Sequence, residues 1–425
     1  MFVSLKSLFF SQYKNSFQSF PRITKRSLYG WGAYVSAFQS TGNSKQSATT
    51  NFADLRARDS SPLLSPKQLS YSKLLPNTNV EDLVLSSVGV GYGHALLSFY
   101  NKALNKSLIA AFGLNSSNQL GSKTVNSPAH TTFSLLGNVS QIACGREHSI
   151  LLVSSKSDGD KVYVYGSNSH GQLGVSDQEN LQNFDNLIHE STSNGISSIQ
   201  SKSTIKKFVC GLDHTVLLYN DGKVFTFGWN ADGQLGNGET KKSSIPIDIS
   251  NSFDSKVIDI LSSTDLNFAK TENNDLYVWG NGEYMNNMLN SSSDKILIPT
   301  KIDFPFGKII SFATGGPHSL VVNDDGNVYV SGFGALGLGK STLSSPIPTK
   351  IPNLCQIKKV YASTDYNLAI DSNGKVFVWG INNASGILGI GNTNSQFSPI
   401  EFPLDSNIDP LKAKFELGNL FSLIY

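Results

Sequence analysis

Residues 208–238 read FVCGLDHTVLLYNDGKVFTFGWNADGQLGNG. Residues 216–219 are apolar and strand-like. Asn220-Asp221-Gly222 marks a hairpin turn, because Gly takes positive φ freely and Asn and Asp bond back to their own backbone. Residues 223–227 alternate polar and apolar, the period of a half-buried strand, and a glycine-rich loop follows. The rest of the chain is this unit repeated with variation.

Two anchors count the copies. The first is G-x-x-H before a strand: Gly91 to His94, Gly145 to His148, Gly211 to His214 and Gly315 to His318. Thr264 to Asn267 and Thr364 to Asn367 read as degenerate copies with Asn for His, and Gly418 to Phe421 closes the chain. The second anchor is a strand ending in aromatic-Gly or a near variant. It appears as Trp31-Gly32, Phe112-Gly113, Tyr165-Gly166, Phe227-Gly228, Trp279-Gly280, Ser331-Gly332 and Trp379-Gly380. From the fourth position of the first anchor to the Gly of the second, the spacing is 19, 18, 14, 13, 14 and 13 residues. That regularity indicates one structural unit copied.

The ends carry half-units. Trp31-Gly32 has no first anchor before it, and the anchor at Gly418 has no second anchor after it. A ring of sheets that joins its first and last strands in one blade accounts for both halves and leaves no open edge between them.

The chain has 425 residues, 39% hydrophobic and 16% charged, enough to bury a large core as one repeat domain. Its 37 Gly and 3 Met suit many tight turns and few helices. It has no run of 18 apolar residues, so no spanning helix is expected. Three cysteines form no disulfide framework; Cys144 and Cys210 occupy one repeat position in different blades and read as small buried strand residues. Cys355 is isolated, and no metal-ligand spacing is present.

Charge divides the chain. Residues 1–53 hold six cations (Lys6, Lys14, Arg22, Lys25, Arg26, Lys45) and no acid, whereas the remainder holds 28 cations and 32 acids. A mildly acidic body excludes long-range attraction to DNA or RNA as its mode of binding. The segment 1–27 is Ser- and Phe-rich, basic and acid-free, and Phe2, Leu5 and Phe9 can share a helical face. It reads as a mitochondrial presequence, not a secretory signal, which needs an unbroken apolar centre. The propeller-forming part is then 28–425, with a matrix location or a place on the matrix face of the inner membrane.

Most units place the next first anchor 35 to 41 residues after a second anchor; Gly32 to His94 spans 62 and Gly166 to His214 spans 48. The excesses, 39–82 and 175–202, read as surface insertions. The first two complete units also predict longer hairpin turns, at 99–105 and 154–160.

The glycine-rich loops NQLG at 118–121 and GQLG at 171–174 and 233–236 raise a phosphate-cradle reading. It fails on context: no Lys-Ser/Thr follows, no helix opens, and the loop recurs in every strong copy. The histidines raise a metal or general-base reading. Repeat-equivalent positions are spread around a ring, so a core histidine that donates its ring N–H to a neighbouring blade fits better. No nucleophile, metal or cofactor set stands out from the repeat, and the expectation is a non-enzymatic protein without a cofactor.

The segments ACGREHSILL with KVYVYGSNSHGQLG, and VCGLDHTVLL with GKVFTFGWNADGQLGNG, resemble the regulator-of-chromosome-condensation repeat. The match runs from about residue 28 to the C-terminus and is weak around 262–288. The chain has neither the diglycine-plus-Tyr/Trp pattern of kelch repeats nor the Trp-Asp ending of WD repeats. The resemblance implies an all-β, seven-bladed β-propeller with four-stranded blades, closed by one blade shared between the N- and C-terminal strands. In it Gly91, His94, Gly145, His148, Gly166, Gly211, His214, Gly228, Gly280, Gly315, His318, Gly332, Gly380 and Gly418 are structural repeat positions.

Fold alone does not give function. The family's founding member is a nuclear exchange factor for a small GTPase and uses a wedge projecting from one face; no matching wedge sequence is found here. With a mitochondrial presequence, the chain looks like the mitochondrial branch. That branch is implicated in assembling respiratory complexes, notably the cytochrome bc1 complex in fungi, and in mitochondrial ribosome assembly in animals. The resemblance therefore implies a monomeric scaffold with protein partners: respiratory-complex subunits, assembly factors or an organellar GTPase. It implies no DNA, RNA only through a ribosome, and at most peripheral contact with the inner membrane.

Arg22, Lys25 and Arg26 just before the first strand place processing near Ser27. N-terminal sequencing of the mature protein is expected to find a start between about residues 20 and 30. Met1 retained in protein isolated from the organelle would overturn the cleavage.

Overall fold

The computed structural model describes residues 27–40, 62–122, 128–154, 160–175, 189–190, 203–289 and 293–425. Seven four-stranded antiparallel sheets form a ring, a seven-bladed β-propeller. Each innermost strand packs against the innermost strand of the next blade, and the last meets the first. Blades 1 to 6 take residues 83–136, 138–190, 205–248, 257–301, 309–350 and 357–401 in chain order. Blade 7 is built outward from Phe415–Leu417, Phe421–Ile424, Tyr29–Gly32 and Leu63–Gln68.

Residues 208–238 form most of blade 3, whose strands are Ile205–Cys210, His214–Tyr219, Val224–Gly228 and Ser243–Asp248. Every residue of His214–Tyr219 is buried, because both faces of a blade are covered by neighbours. Leu217 packs with Ile150 and Val164 of blade 2, whereas Val216 and Leu218 pack with Ile260, Phe268 and Trp279 of blade 4. One strand thus feeds two inter-blade cores by alternation. Each buried side chain of this size contributes roughly 1.5–3 kcal/mol of transfer free energy.

The shared blade closes in register, with Tyr29 opposite Ile424 and Gly32 opposite Phe421. Trp31 is fully buried; its indole N–H donates to the Ile387 carbonyl at 2.7 Å, and its ring lies 5.4 Å from that of Phe402 in blade 6. Phe421 meets Phe112 of blade 1 at 5.2 Å on the other side.

The stretch 39–82 is more than a surface insertion: Leu63–Gln68 is the outer strand of blade 7, and Leu69, Leu74 and Leu75 are buried. Within 175–202, His189–Glu190 pairs with the third strand of blade 2, and most of the remainder lies outside the described residues. The spacing of 19 in the first unit comes from longer strands, His94–Asn101 and Lys106–Gly113, joined by a short turn. Of the turn at 154–160, residues 155–159 lie outside the described residues, as do 1–26 of the leader.

Deleting 418–425 removes Phe421–Ile424, which pairs with strands on both sides. The stranded ladder groups are expected to lower the melting temperature by many degrees or cause aggregation. An unchanged melting curve would rule out the shared blade.

Candidate functional site

The first anchor is a two-residue turn between the innermost strand and the second strand. The N–H of Gly91, Gly145, Gly211 and Gly315 donates to the carbonyl of His94, His148, His214 and His318 at 2.9 Å in each case. The histidine ring then folds back over the glycine. A Cβ on Gly211 would stand 2.1 Å from His214 Cε1, and one on Gly145 would stand 2.2 Å from His148 Cε1. Gly-x-x-His is therefore one steric unit: the ring fits only where the side chain is absent.

Each ring also reaches the next blade. His94 Nε2 meets Ser149 Oγ at 2.8 Å, and His148 Nε2 meets Thr215 Oγ1 at 3.3 Å. His214 Nε2 meets Asn267 Oδ1 at 2.8 Å, and His318 Nε2 meets Asn367 Oδ1 at 2.6 Å. An amide oxygen only accepts, so His214 and His318 donate Nε2–H. The hydroxyls of Ser149 and Thr215 donate to the Gln119 and Gln172 carbonyls, both at 2.9 Å, which leaves them to accept from His94 and His148.

The register corrects the alignment of the two degenerate copies. Leu266 and Tyr366, not Asn267 and Asn367, stand opposite Gly280 and Gly380, as His214 and His318 stand opposite Gly228 and Gly332. Counted from Leu266 and Tyr366, the spacing to the glycine is 14 in both copies, as it is from His214 and His318. Asn267 and Asn367 hold the position of Thr215 and Ser149 and receive the histidine of the preceding blade. Tyr366 takes the role of histidine, with its hydroxyl bonded to Ser422 Oγ. Where the anchor is Phe421, the facing position is Ala95, so no polar atom is stranded.

Burial holds the histidines neutral. It pushes His94 and His148 down to about 3 and His318 to about 4, and it lowers His214. Burial pushes the Cys144 thiol up to about 12 and raises Cys210, so neither is a thiolate nucleophile at neutral pH. Among the described residues no group of three or more His, Cys, Asp or Glu could hold a metal ion. No described helix is long and apolar enough to cross a membrane.

The glycine-rich loops are likewise structural. Asn230 Oδ1 accepts from the Leu235 N–H at 2.8 Å, Gln234 Oε1 accepts from the Asp232 N–H at 2.9 Å, and Leu235 is fully buried. The same pair recurs as Asn115 with Leu120 and Asn168 with Leu173. The backbone groups a phosphate would need are already used.

What remains open is the face that carries the anchor turns. Its turn residues include Glu147, Asp213, Asp265 and Asp365 at one repeat position. Ser116 and Ser117 hold Glu147 at 3.1 and 3.0 Å, Arg146 pairs with Asp213, and Gln234 Nε2 donates to Asp265 at 3.0 Å. Asp365 has no side-chain partner among the described residues, and burial raises its carboxyl. A groove of about 610 Å³ opens beside it across blades 3 to 6. Its wall exposes Tyr284, Phe333, Leu343 and Ile381, with Phe333 half exposed at 50%. Asp265, Glu283 and Asp365 line it, and among the described residues no Lys or Arg does. Of these residues only the repeat turns carry a sequence signal; Phe333, Leu343 and Ile381 lie outside both anchors.

The RCC1-like domain family matches residues 28–423. The chain belongs to that family. The family is known for guanine-nucleotide exchange and scaffold roles. A mouse protein named RCC1-like G exchanging factor-like protein is 31% identical over 346 residues, 75% of this chain and 72% of the relative. The Arabidopsis thaliana mitochondrial RCC1 domain-containing protein RUG3 is 27% identical, over 61% of this chain and 57% of that one. The crystal structure of human WBSCR16 superimposes with a TM-score of 0.76 at 26% identity, covering 94% of this chain and 99% of the other.

The buried histidines set a pH dependence. A histidine neutral in the fold protonates more readily once unfolded, so its contribution is lost as pH falls below its ordinary 6.5. Glu416, in the central channel, works in the opposite sense. Burial holds it up to about 7, so the stability it costs there is recovered as pH falls towards its ordinary 4.5. Four histidines outweigh one glutamate, and the melting temperature is expected to fall between about pH 7 and 5.5. His148→Gln is expected to cost about 1–3 kcal/mol at pH 7 and to flatten that fall. A His148→Gln variant with wild-type melting but no activity would show that the ring has a role beyond structure.

Proposed function

We propose that this chain is a non-enzymatic mitochondrial scaffold that assists assembly of inner-membrane respiratory complexes, with the cytochrome bc1 complex as first candidate. It works by holding a partner protein in the groove across blades 3 to 6. The observation that carries this reading is the composition of that groove: exposed Tyr284, Phe333, Leu343 and Ile381 beside three carboxylates and no cation. An exposed apolar patch rimmed by charge of one sign marks a protein-binding site. Its occupant is a partner segment with Lys or Arg next to apolar side chains. Asp365, half-buried and unpaired, supplies the countercharge for one such cation. The basic, acid-free leader supports the mitochondrial setting.

Guanine-nucleotide exchange for an organellar GTPase is the second reading. It is favoured by the names of the mouse and human relatives, each an RCC1-like G exchanging factor-like protein. A ribosome-assembly role through RNA is disfavoured, because carboxylates repel phosphate at the groove.

Phe333→Ser and Asp365→Lys alter the groove without touching a repeat glycine or an inter-blade bond. Both are expected to melt like the wild type and to fail to restore respiratory growth in cells lacking the protein. Native gels of those mitochondria are expected to show incompletely assembled bc1 complex. Normal complexes with lost mitochondrial translation would replace the assembly reading with the ribosomal one. Purified protein that accelerates nucleotide release from an organellar GTPase would establish exchange.

A further inference from the structure

Among the described residues the outer strand of each blade has no further strand beside it, and most of these edges are blunted. The strands Leu63–Gln68, Ser243–Asp248, Lys295–Lys301, Ser344–Lys350 and Gln396–Glu401 contain Pro66, Pro246, Pro299, Pro348 and Pro399. Proline has no N–H to offer an incoming strand. Each of these strands also breaks register against its neighbour, as between Thr226 and Gly228 or Val330 and Gly332. Each carries a charge: Lys67, Asp248, Lys295 and Lys301, Lys350, and Glu401. Proline, irregularity and charge are the devices by which native sheets refuse edge-to-edge pairing. In blade 2 the described outer strand is two residues long, His189–Glu190.

Blade 1 has none of these devices. Its outer strand Ala129–Leu136, AHTTFSLL, pairs with Lys106–Gly113 through eight consecutive partners without a break. It contains no Pro and no Asp, Glu, Lys or Arg. Its N-terminal end is flanked: His130 Nε2 donates to the Leu74 carbonyl at 3.0 Å and the ring lies 5.0 Å from Phe38. The far end is open, with Thr132 exposed and Leu136 at 78%. Among the described residues, no backbone group of another segment bonds to Ala129–Leu136 from outside the sheet.

We propose that residues 132–136 of blade 1 pair with the same residues of a second copy of this chain, antiparallel about a two-fold axis at Ser134. The occupant follows from the edge itself. An open ladder takes an extended backbone. A strand meeting its own copy must not bring like charges together, and this stretch has none. Thr132 of one copy then lies opposite Leu136 of the other. Of the described outer strands, one per molecule is unblunted and long enough to pair, so pairing closes at two copies and builds no fibre. The contact lies outside the groove, so it does not depend on the functional reading above. It is an alternative to the monomer expected from sequence.

Sedimentation velocity on the full mature chain tests this over a concentration series. The paired stretch is far smaller than a standard interface of about 1,600 Å², so association is expected to be weak and concentration-dependent. The wild type is expected to double in mass as concentration rises. Ser134→Lys and Ser134→Glu are each expected to stay monomeric with an unchanged melting curve, and their equimolar mixture to regain the dimer. Thr132→Lys, at an exposed position, serves if Ser134→Lys fails to fold. A wild type that stays monomeric throughout, a Ser134→Lys dimer of wild-type strength, or a mixture that remains monomeric would each overturn the proposal.

Discussion

The ring depends on a contact that leaves no room for a side chain. Each third strand ends in a glycine laid against the backbone of the anchor turn. At Gly228, with φ +115°, a Cβ would stand 2.5 Å from the Asp213 carbonyl oxygen and 2.6 Å from His214 Cα. Equivalent glycines from Gly32 to Gly380 press on equivalent carbonyls. Opposite them, Gly-x-x-His lets an imidazole fold back over the innermost strand. The glycine contact recurs in all seven blades, and the folded-back imidazole in blades 1, 2, 3 and 5.

The polar links between blades are matched in pairs. A histidine or tyrosine on one blade meets Ser, Thr or Asn on the next: His94 with Ser149, His214 with Asn267, Tyr366 with Ser422. An apolar anchor, Phe421, meets Ala95. Net stabilisation by one such bond is modest, about 1 kcal/mol, but a stranded buried partner costs more. Leu266 is the exception: Ser319, at the facing repeat position of blade 5, turns its hydroxyl to Thr314 Oγ1 at 3.1 Å instead. Apolar burial at Trp31, Trp279 and Trp379 supplies the larger stabilisation.

The two anchors made the repeat, the blade number and the shared closing blade legible, because glycine contacts and histidine links impose fixed residue types at fixed spacing. In two copies the anchor sits one residue before the Asn that the sequence pattern picks out. There Leu266 and Tyr366 replaced His, and the Asn beside each, which accepts the neighbouring imidazole, looked like its substitute. The outer strands were harder to see. Leu63–Gln68 and His189–Glu190 follow long polar stretches and show no alternation: the first has no fully buried residue and the second is two residues long. The groove left the weakest trace. Phe333, Leu343 and Ile381 come from separate places in the chain, and only the curvature of the ring assembles them.

That separation between wiring and surface bears on function. In each anchor turn the outer two positions are fixed by the ring, while the two between them differ from blade to blade: Arg146-Glu147, Leu212-Asp213, Gly316-Pro317, Thr364-Asp365. Asp213 and Gly316 are buried whereas Arg146 is exposed, so the chemistry of the turn face differs around the ring. Most of the carboxylates there are occupied, by Arg146 at Asp213, by Ser116 and Ser117 at Glu147, and by Gln234 at Asp265. Asp365 is left without a partner at the point where the apolar wall begins. A half-buried carboxylate with no internal partner is a cost the fold does not need, since its neighbours show how readily such a group is paired. On the scaffold reading, that carboxylate is where a cation of the partner covering Phe333 would sit.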